Sequence, residues 1–199
     1  MTRLFAVALL VLLTACNQWT LVNPGPTNIR SSLQLSPTIA FNQHAGALPA
    51  QPTETWTLDG PLLNRVWILP GIPEGQPLVV APATFADPNA RPFPAIKPTM
   101  NETEMMELIA DTISIDNGQV ALTTENLRPT TFSGQQGFRF DFQFSGRNEL
   151  RYRGSFVGAM IDGKLFGVML TATSLHHYQS LLPEFERLAA SARRLTAAS

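Results

Sequence analysis

Two strands joined by a tight turn constrain the fold more than any other part of the sequence. The segments 150–161 and 164–172 are separated by Asp162-Gly163, a strong signal for a two-residue hairpin. Pairing across this turn makes both faces of the ribbon apolar: one face pairs Met160 with Leu165 and Phe156 with Met169, and the other pairs Val157 with Val168 and Ala159 with Phe166. Both faces must then be covered, so the sequence predicts a sheet between two layers.

The preceding strand, 138–144, has the strictest alternation of apolar and polar residues in the chain, F-R-F-D-F-Q-F. We expect its phenylalanines to face apolar partners, with Phe144, Phe142 and Phe140 opposite Leu150, Tyr152 and Gly154. The same register predicts an ion pair across the strands between Asp141 and Arg153. Three glycines on the phenylalanine face are expected to let a helix approach closely: Gly154, Gly158 and Gly167.

Two helices are predicted to cover the sheet. Asn101 followed by Glu104 is a capping pattern that predicts a helix over 101–114. A second helix is predicted over 178–195, where apolar residues recur at helical spacing. Between them we expect strands at 118–123 and 128–132.

The first half of the chain has a different backbone character, because 14 of the 16 prolines lie between Pro24 and Pro98. The segments 53–58 and 65–69 predict two strands. The proline-rich insertion 73–98 is expected to be mostly irregular, with a short edge strand at 78–80, and to offer a contact surface for a partner.

The first sixteen residues have the character of an export signal. The uncharged apolar run 4–13 has ten residues, half of what a membrane-spanning helix needs. Its end, Leu13-Thr14-Ala15-Cys16, resembles the lipobox of bacterial lipoproteins. The resemblance implies cleavage between Ala15 and Cys16 and acylation of Cys16, the single cysteine of the chain. The alternative is an ordinary secretory signal with a chance cysteine.

The resemblance also implies a location. Asn17 follows the cysteine, whereas an aspartate at that position is the inner-membrane retention signal in many bacterial lipoproteins, so we expect the periplasmic face of the outer membrane rather than the inner membrane. The predicted domains are a signal peptide over 1–15, a lipidated N-terminus with a flexible tether over 16–50, and one folded domain over 51–199. Trp19, Leu33 and Leu35 support an alternative to the tether, an ordered N-terminal arm.

The predicted order of elements is strand, strand, helix, four-stranded meander and helix. This order, together with the closing run L-P-E-F-E-R-L-A-A-S-A-R at 182–193, resembles the PsbP-like fold. The resemblance implies an α+β domain in which an antiparallel β-sheet is sandwiched between two helices. It also implies a non-catalytic binding or assembly module, often beside membranes, and it brings no active-site motif to these residues.

Charge and motifs exclude several classes of function. A net charge of -1 lacks the basic footprint of a nucleic-acid binder. The sequence has no nucleophile elbow in a turn, phosphate-binding loop, dinucleotide fingerprint or zinc-binding cysteine pair. Ser155 stands between Gly154 and Gly158 in mid-strand, where no turn can present its hydroxyl. We therefore expect no cofactor and no enzymatic activity.

Two hypotheses remain. The favoured one is a membrane-anchored periplasmic lipoprotein domain, non-catalytic, that binds a protein or small ligand of the cell envelope. Arg139, Arg151 and Arg153 are candidates for a patch that binds an anionic partner, the alternative being a solvated sheet edge. The second hypothesis is an envelope hydrolase or metal-binding protein with a site near His176 and His177. Adjacent side chains of an extended segment point to opposite faces, so no metal site is expected there.

Overall fold

The computed structural model describes residues 19–44, 51–81 and 91–195. The predicted signal peptide, the lipobox and Cys16 lie outside the described residues. Within them the chain order is β1 (Trp19–Val22), β2 (Thr27–Ile29), β3 (Leu33–Leu35), β4 (Phe41–His44), β5 (Glu54–Thr57), β6 (Asn64–Pro73), α1 (Glu102–Asp116), β7 (Leu122–Phe132), β8 (Gln135–Ser145), β9 (Arg151–Ile161), β10 (Lys164–Thr173), α2 (His177–Ser191) and β11 (Arg193–Arg194).

A single antiparallel sheet dominates this α+β structure. Its strand order is β1-β4-β5-β6-β10-β9-β8-β7, and a small second sheet has the order β11-β3-β2. The meander β7 to β10 follows α1, and β10 returns to pair with β6. None of the helices in the described ranges is long and apolar enough to cross a membrane.

The hairpin between β9 and β10 has the predicted register, with Phe156 opposite Met169 and Val157 opposite Val168. The buried residues of this ribbon divide between two apolar clusters, as strand alternation requires. The cluster that holds Val157 also receives buried residues of α2, and the cluster that holds Phe156 receives buried residues of α1.

The pairing predicted between β8 and β9 is wrong by two residues. Phe144 lies opposite Tyr152 and Phe142 opposite Gly154, while Asp141 faces Ser155 instead of the predicted Arg153. The connection is longer than the prediction allowed: Leu150 belongs to the turn, where its carbonyl accepts a hydrogen bond from the Gly146 N–H at 2.9 Å. An even shift preserves the faces, so all four phenylalanines of 138–144 are still buried.

The strand glycines hold phenylalanine rings and not a helix backbone, which corrects the sequence-based expectation. A Cβ at Gly154 would lie 2.0 Å from the Phe142 ring, and one at Gly158 would lie 2.5 Å from the Phe156 ring. A Cβ at Gly167 would meet the same Phe156 ring at 2.7 Å. The glycines therefore let aromatic side chains of the sheet lie flat over it.

Both helices form close to their predicted positions. Asn101 caps α1 with a full capping box: its Oδ1 accepts from the Glu104 N–H, and a Glu104 carboxylate oxygen accepts from the Asn101 N–H. The second helix ends at Ser191, four residues short of the prediction, because Arg193 and Arg194 pair with β3. The strands predicted at 118–123 and 128–132 form one strand, β7, with a register shift near Asn126, which has a φ of 59°.

The flexible tether predicted for 16–50 is wrong for residues 19–44, which form the ordered alternative. β4 pairs with β5, so the folded domain does not begin at residue 51. Apolar residues of this arm are buried in the cluster that includes α2: Val22, Ile29, Leu33, Leu35 and Phe41. Apolar burial outweighs the local proline and glycine signals that favoured a tether.

The described ends of the proline-rich insertion pack into the core. Leu78 and Ile96 are buried with the residues of α1. In place of the strand predicted at 78–80 there is an isolated bridge between Pro77 and Ala95. Residues 82–90 lie outside the described residues.

Candidate functional site

Three connections meet at one end of the large sheet, which we call the loop end: 58–63 between β5 and β6, 146–150 between β8 and β9, and 174–176 between β10 and α2. Hydrogen bonds join them. The Leu63 carbonyl accepts from the Thr173 N–H at 2.9 Å, and the Arg151 carbonyl accepts from the Ser174 N–H at 2.8 Å. The Tyr152 hydroxyl donates to the Leu62 carbonyl at 2.9 Å. The loop end is therefore held in one arrangement before any partner binds.

Two adjoining pockets open at the loop end, and both are lined by Arg151 and Ser174. The apolar pocket has a volume of about 580 Å³ and includes Leu63, Leu150 and Leu175 in its wall. The polar pocket has a volume of about 510 Å³ and is lined mainly by polar and charged side chains, among them Thr123, Gln143, Ser145 and Arg153. Together they form a groove, the loop-end groove, that is apolar on one side of Arg151 and polar on the other.

Exposed leucines occur in all three connections of the loop end. Leu175, 97% exposed, and Leu150, 40% exposed, line the apolar pocket, and Leu62, 73% exposed, precedes the lining residue Leu63. Among the described residues the remaining large apolar side chain that is largely exposed is Leu21, in β1. Large apolar side chains that are exposed to solvent and collected at one site are typical of an interaction surface.

The structure separates the three arginines that the sequence grouped. Arg139 donates two hydrogen bonds to the Glu186 carboxylate, at 2.8 and 3.2 Å, and so ties β8 to α2. These bonds raise the pKa of Arg139. Arg153 lies over the Tyr178 ring, 5.1 Å from its centroid, and 3.9 Å from Glu125. Arg139 is thus a structural residue, and Arg153 lies at the groove with internal partners.

Arg151 differs from both, because its guanidinium makes no ion pair or hydrogen bond within the part of the chain that the structure describes. It is exposed and lines both pockets. Among the three arginines of the predicted patch, Arg151 is therefore the one whose guanidinium is free to bind an anionic group of a partner.

A buried polar network that the sequence analysis did not identify lies beneath α2. The Ser155 hydroxyl donates to Asp141 at 2.6 Å and lies 2.8 Å from the Tyr178 hydroxyl. Burial raises the pKa of the Tyr178 phenol. Ser155 is fully buried, so its hydroxyl is a structural hydrogen-bonding group and not an exposed nucleophile. The signal was a serine placed between Arg153 and Val157 on one face of the strand.

The adjacent histidines do not converge on one point. Their ring centroids are 5.2 Å apart with planes at 83°. His177 Nδ1 is 2.8 Å from the Thr173 hydroxyl, and its Nε2 is 3.7 Å from an Asp59 carboxylate oxygen. No group of three or more metal-ligating side chains occurs in the described ranges 19–44, 51–81 and 91–195. His44 packs edge-on against Trp19, with ring centroids 4.9 Å apart.

Comparison with known proteins supports the fold. No protein family matches the sequence. No curated protein matches it either. The chain is similar in structure to cyanobacterial PsbP (CyanoP) from Synechocystis sp. PCC 6803, whose solution structure superposes with a TM-score of 0.53 at 10% sequence identity. The match covers 91% of this chain and 95% of that one, and it confirms the predicted PsbP-like fold.

Proposed function

We propose that this protein is a membrane-anchored periplasmic lipoprotein whose folded domain binds a partner, without catalysis, in the loop-end groove. The observation that carries the proposal is the groove itself. Backbone hydrogen bonds preform it, the free guanidinium of Arg151 divides it, and leucines stand exposed around it. A site of this kind supplies shape, apolar area and one charge, which are the requirements of binding.

Membrane anchoring is proposed from the lipobox-like Leu13-Thr14-Ala15-Cys16. Several acyl chains on Cys16 would hold the protein on a bilayer stably, since one chain alone binds only marginally. The structure changes the expected arrangement, because β1 begins at Trp19, three residues after Cys16. Three residues reach about 10 Å at most. An acylated Cys16 would therefore hold the domain against the membrane surface, and no long tether would intervene.

A sandwich in which the two helices cover opposite faces of the sheet completes the proposal. Met105 and Ile109 of α1 pack in one apolar cluster, while Leu181 and Phe185 of α2 pack in the other. Because neighbouring residues of β9 and β10 alternate between the same clusters, the two helices are expected on opposite faces. This arrangement leaves the ends of the sheet, including the loop end, for contact with partners.

The anchoring proposal predicts a defined chemical product. Mass spectrometry of the protein purified from its native host should show an N-terminus at Cys16 that carries a diacylglyceryl thioether and an amide-linked acyl chain. Cys16→Ala should move the protein out of the membrane fraction or retain the leader. Asn17→Asp is the matched variant: it should stay lipidated and shift from the outer to the inner membrane. A free Cys16 thiol in the mature protein would contradict the proposal.

One observation favours the alternative of a hydrolase near the histidines. Thr173 and His177 line the apolar pocket, and with Asp59 they form a hydroxyl–imidazole–carboxylate series with separations of 2.8 and 3.7 Å. Such a chain can activate a nucleophile. A fluorophosphonate probe tests it directly: covalent labelling of Thr173, lost in His177→Ala, would support hydrolysis, and no labelling would leave binding as the function.

A further inference from the structure

We infer that the partner of the loop-end groove is a protein segment that carries a carboxylate next to apolar side chains. The carboxylate pairs with Arg151, and the apolar side chains pack among Leu62, Leu150 and Leu175. This inference rests on the proposed function of the groove as a binding surface and specifies the chemistry of the partner.

The exposed leucines favour a protein over a small molecule. Leu175 lines the pocket of about 580 Å³ but is 97% exposed, and Leu62, 73% exposed, lies outside the lining on a different loop. A small ligand inside the pocket would leave most of their surface in water. A protein surface can cover the three loops together, and burying each leucine fully contributes about 1.5–3 kcal/mol.

The charge arrangement favours a carboxylate. Neighbouring arginines already have acidic partners, with Arg139 on Glu186 and Arg153 near Glu125. Arg151 has none within the described part of the chain, and it lies between the apolar and polar pockets. A guanidinium binds a carboxylate through two parallel hydrogen bonds, so it selects both the charge and the direction of the partner.

Acidic groups at the groove limit how the partner can lie. Glu149 lines the apolar pocket, and Asp59 is near His177. A second carboxylate placed on the apolar-pocket side of Arg151 would be repelled by these two acidic groups. The carboxylate of the partner should therefore enter from the polar pocket, with its apolar side chains directed toward Leu150 and Leu175.

The position of the proposed anchor argues against a lipid occupant. β1 and β5 both pair with β4 in antiparallel fashion, so the two strands have the same direction. β5 runs toward the loop end. Trp19 is therefore the end of β1 farther from the loop end, and Cys16 can lie no more than about 10 Å from it. An anchor on that side leaves the loop end directed away from the bilayer.

Photo-crosslinking in intact cells tests the inference. p-Benzoylphenylalanine placed at position 175 should form an adduct with one envelope protein, and the same group at position 21, the exposed leucine of β1, should not form that adduct. Arg151→Glu should lower the yield at position 175 about tenfold or more, since it places like charges together. Lys164→Glu makes the same charge change in the exposed first residue of β10, next to the Asp162-Gly163 turn, and should leave the yield within about twofold.

Sequencing the cross-linked peptide decides the chemistry of the partner. An Asp, a Glu or a chain-terminal carboxylate beside apolar residues is expected. Adducts with lipid, or with a second copy of this chain, would overturn the inference. A protein adduct that Arg151→Glu does not weaken would leave the proposed binding function standing and refute the carboxylate. Equal adduct formation at positions 175 and 21, or none at either, would refute the binding function as well.

Discussion

The polar residues under α2 show how one pairing decides the role of a side chain. In the register predicted from the sequence, Asp141 would neutralise Arg153 on a solvated face. In the observed register it lies opposite Ser155, accepts a hydrogen bond from the Ser155 hydroxyl and completes a chain to Tyr178. A buried hydroxyl without a partner would cost about 1–3 kcal/mol. The network therefore lets Ser155 and Asp141 lie beneath α2 with their polar atoms hydrogen-bonded.

Removing the Tyr178 hydroxyl should weaken this network modestly. In Tyr178→Phe the Ser155 hydroxyl keeps its bond to Asp141, and the ring keeps its packing, so we expect a loss of about 1 kcal/mol in the free energy of unfolding at pH 7. Urea unfolding followed by circular dichroism measures it. Ser155→Ala removes the central group of the same network and should cost at least as much. If both variants are as stable as the wild type, the network makes no contribution to stability.

The same residue gives the fold a pH dependence. Because burial raises the pKa of Tyr178 in the folded protein, the folded state holds this proton more tightly than the unfolded state does. Stability should be fully present below the unfolded pKa of about 10 and fall as the pH rises above it. Tyr178→Phe should remove that part of the slope in unfolding measurements between about pH 9 and 11.5. An unchanged slope would contradict the raised pKa.

For helices, strands and turns, local sequence signals sufficed where local interactions form the structure. The capping box at Asn101 and the Asp162-Gly163 turn were predicted correctly because their hydrogen bonds join residues a few positions apart. The end of α2 was not, because the strand that replaces its last turn pairs Arg193 with Gln34, far away in the sequence. Pairing between distant segments leaves no local pattern to detect.

The capping box makes a separate prediction for α1. Asn101→Ala removes the oxygen that accepts from the Glu104 N–H, and we expect a loss of about 1 kcal/mol in the free energy of unfolding. Asn101→Asp is the matched control, since it keeps an acceptor and places a negative charge at the helix N-terminus, so it should be close to wild type. Guanidinium unfolding compares the three proteins. Equal losses in both variants would mean that the amide has another role.

The loop-end groove could not be predicted from the sequence. Its wall combines Leu63, Leu150 and Leu175, which belong to three connections separated by long stretches of chain. Strand periodicity singled out Arg151, and the adjacent His176 singled out His177, but what each side chain contacts depends on strand order. Dependence on distant contacts also explains why a flexible tether was wrongly predicted for residues 19–44. Proline and glycine in residues 19–44 favour irregular backbone locally, and only the assembled core shows that Leu33 and Phe41 are buried.

Truncation should show that residues 19–44 belong to the domain. A chain beginning at residue 51 lacks five apolar residues that are buried against the α2 side of the sheet. Their burial, at about 1.5–3 kcal/mol each, matches the whole stability of an ordinary domain. We expect this chain to lack a cooperative thermal transition, whereas one beginning at residue 17 should unfold in a single step.

A full-length variant tests the contact between residues 19–44 and α2. Glu184→Gln weakens the bonds that a buried carboxylate of α2 accepts from the backbone N–H and hydroxyl of Thr38, and it should speed proteolysis within 19–44 while leaving the rest of the domain protected. If the chain beginning at residue 51 unfolds cooperatively within a few degrees of the longer one, the arm is dispensable, and the boundary predicted at residue 51 is restored.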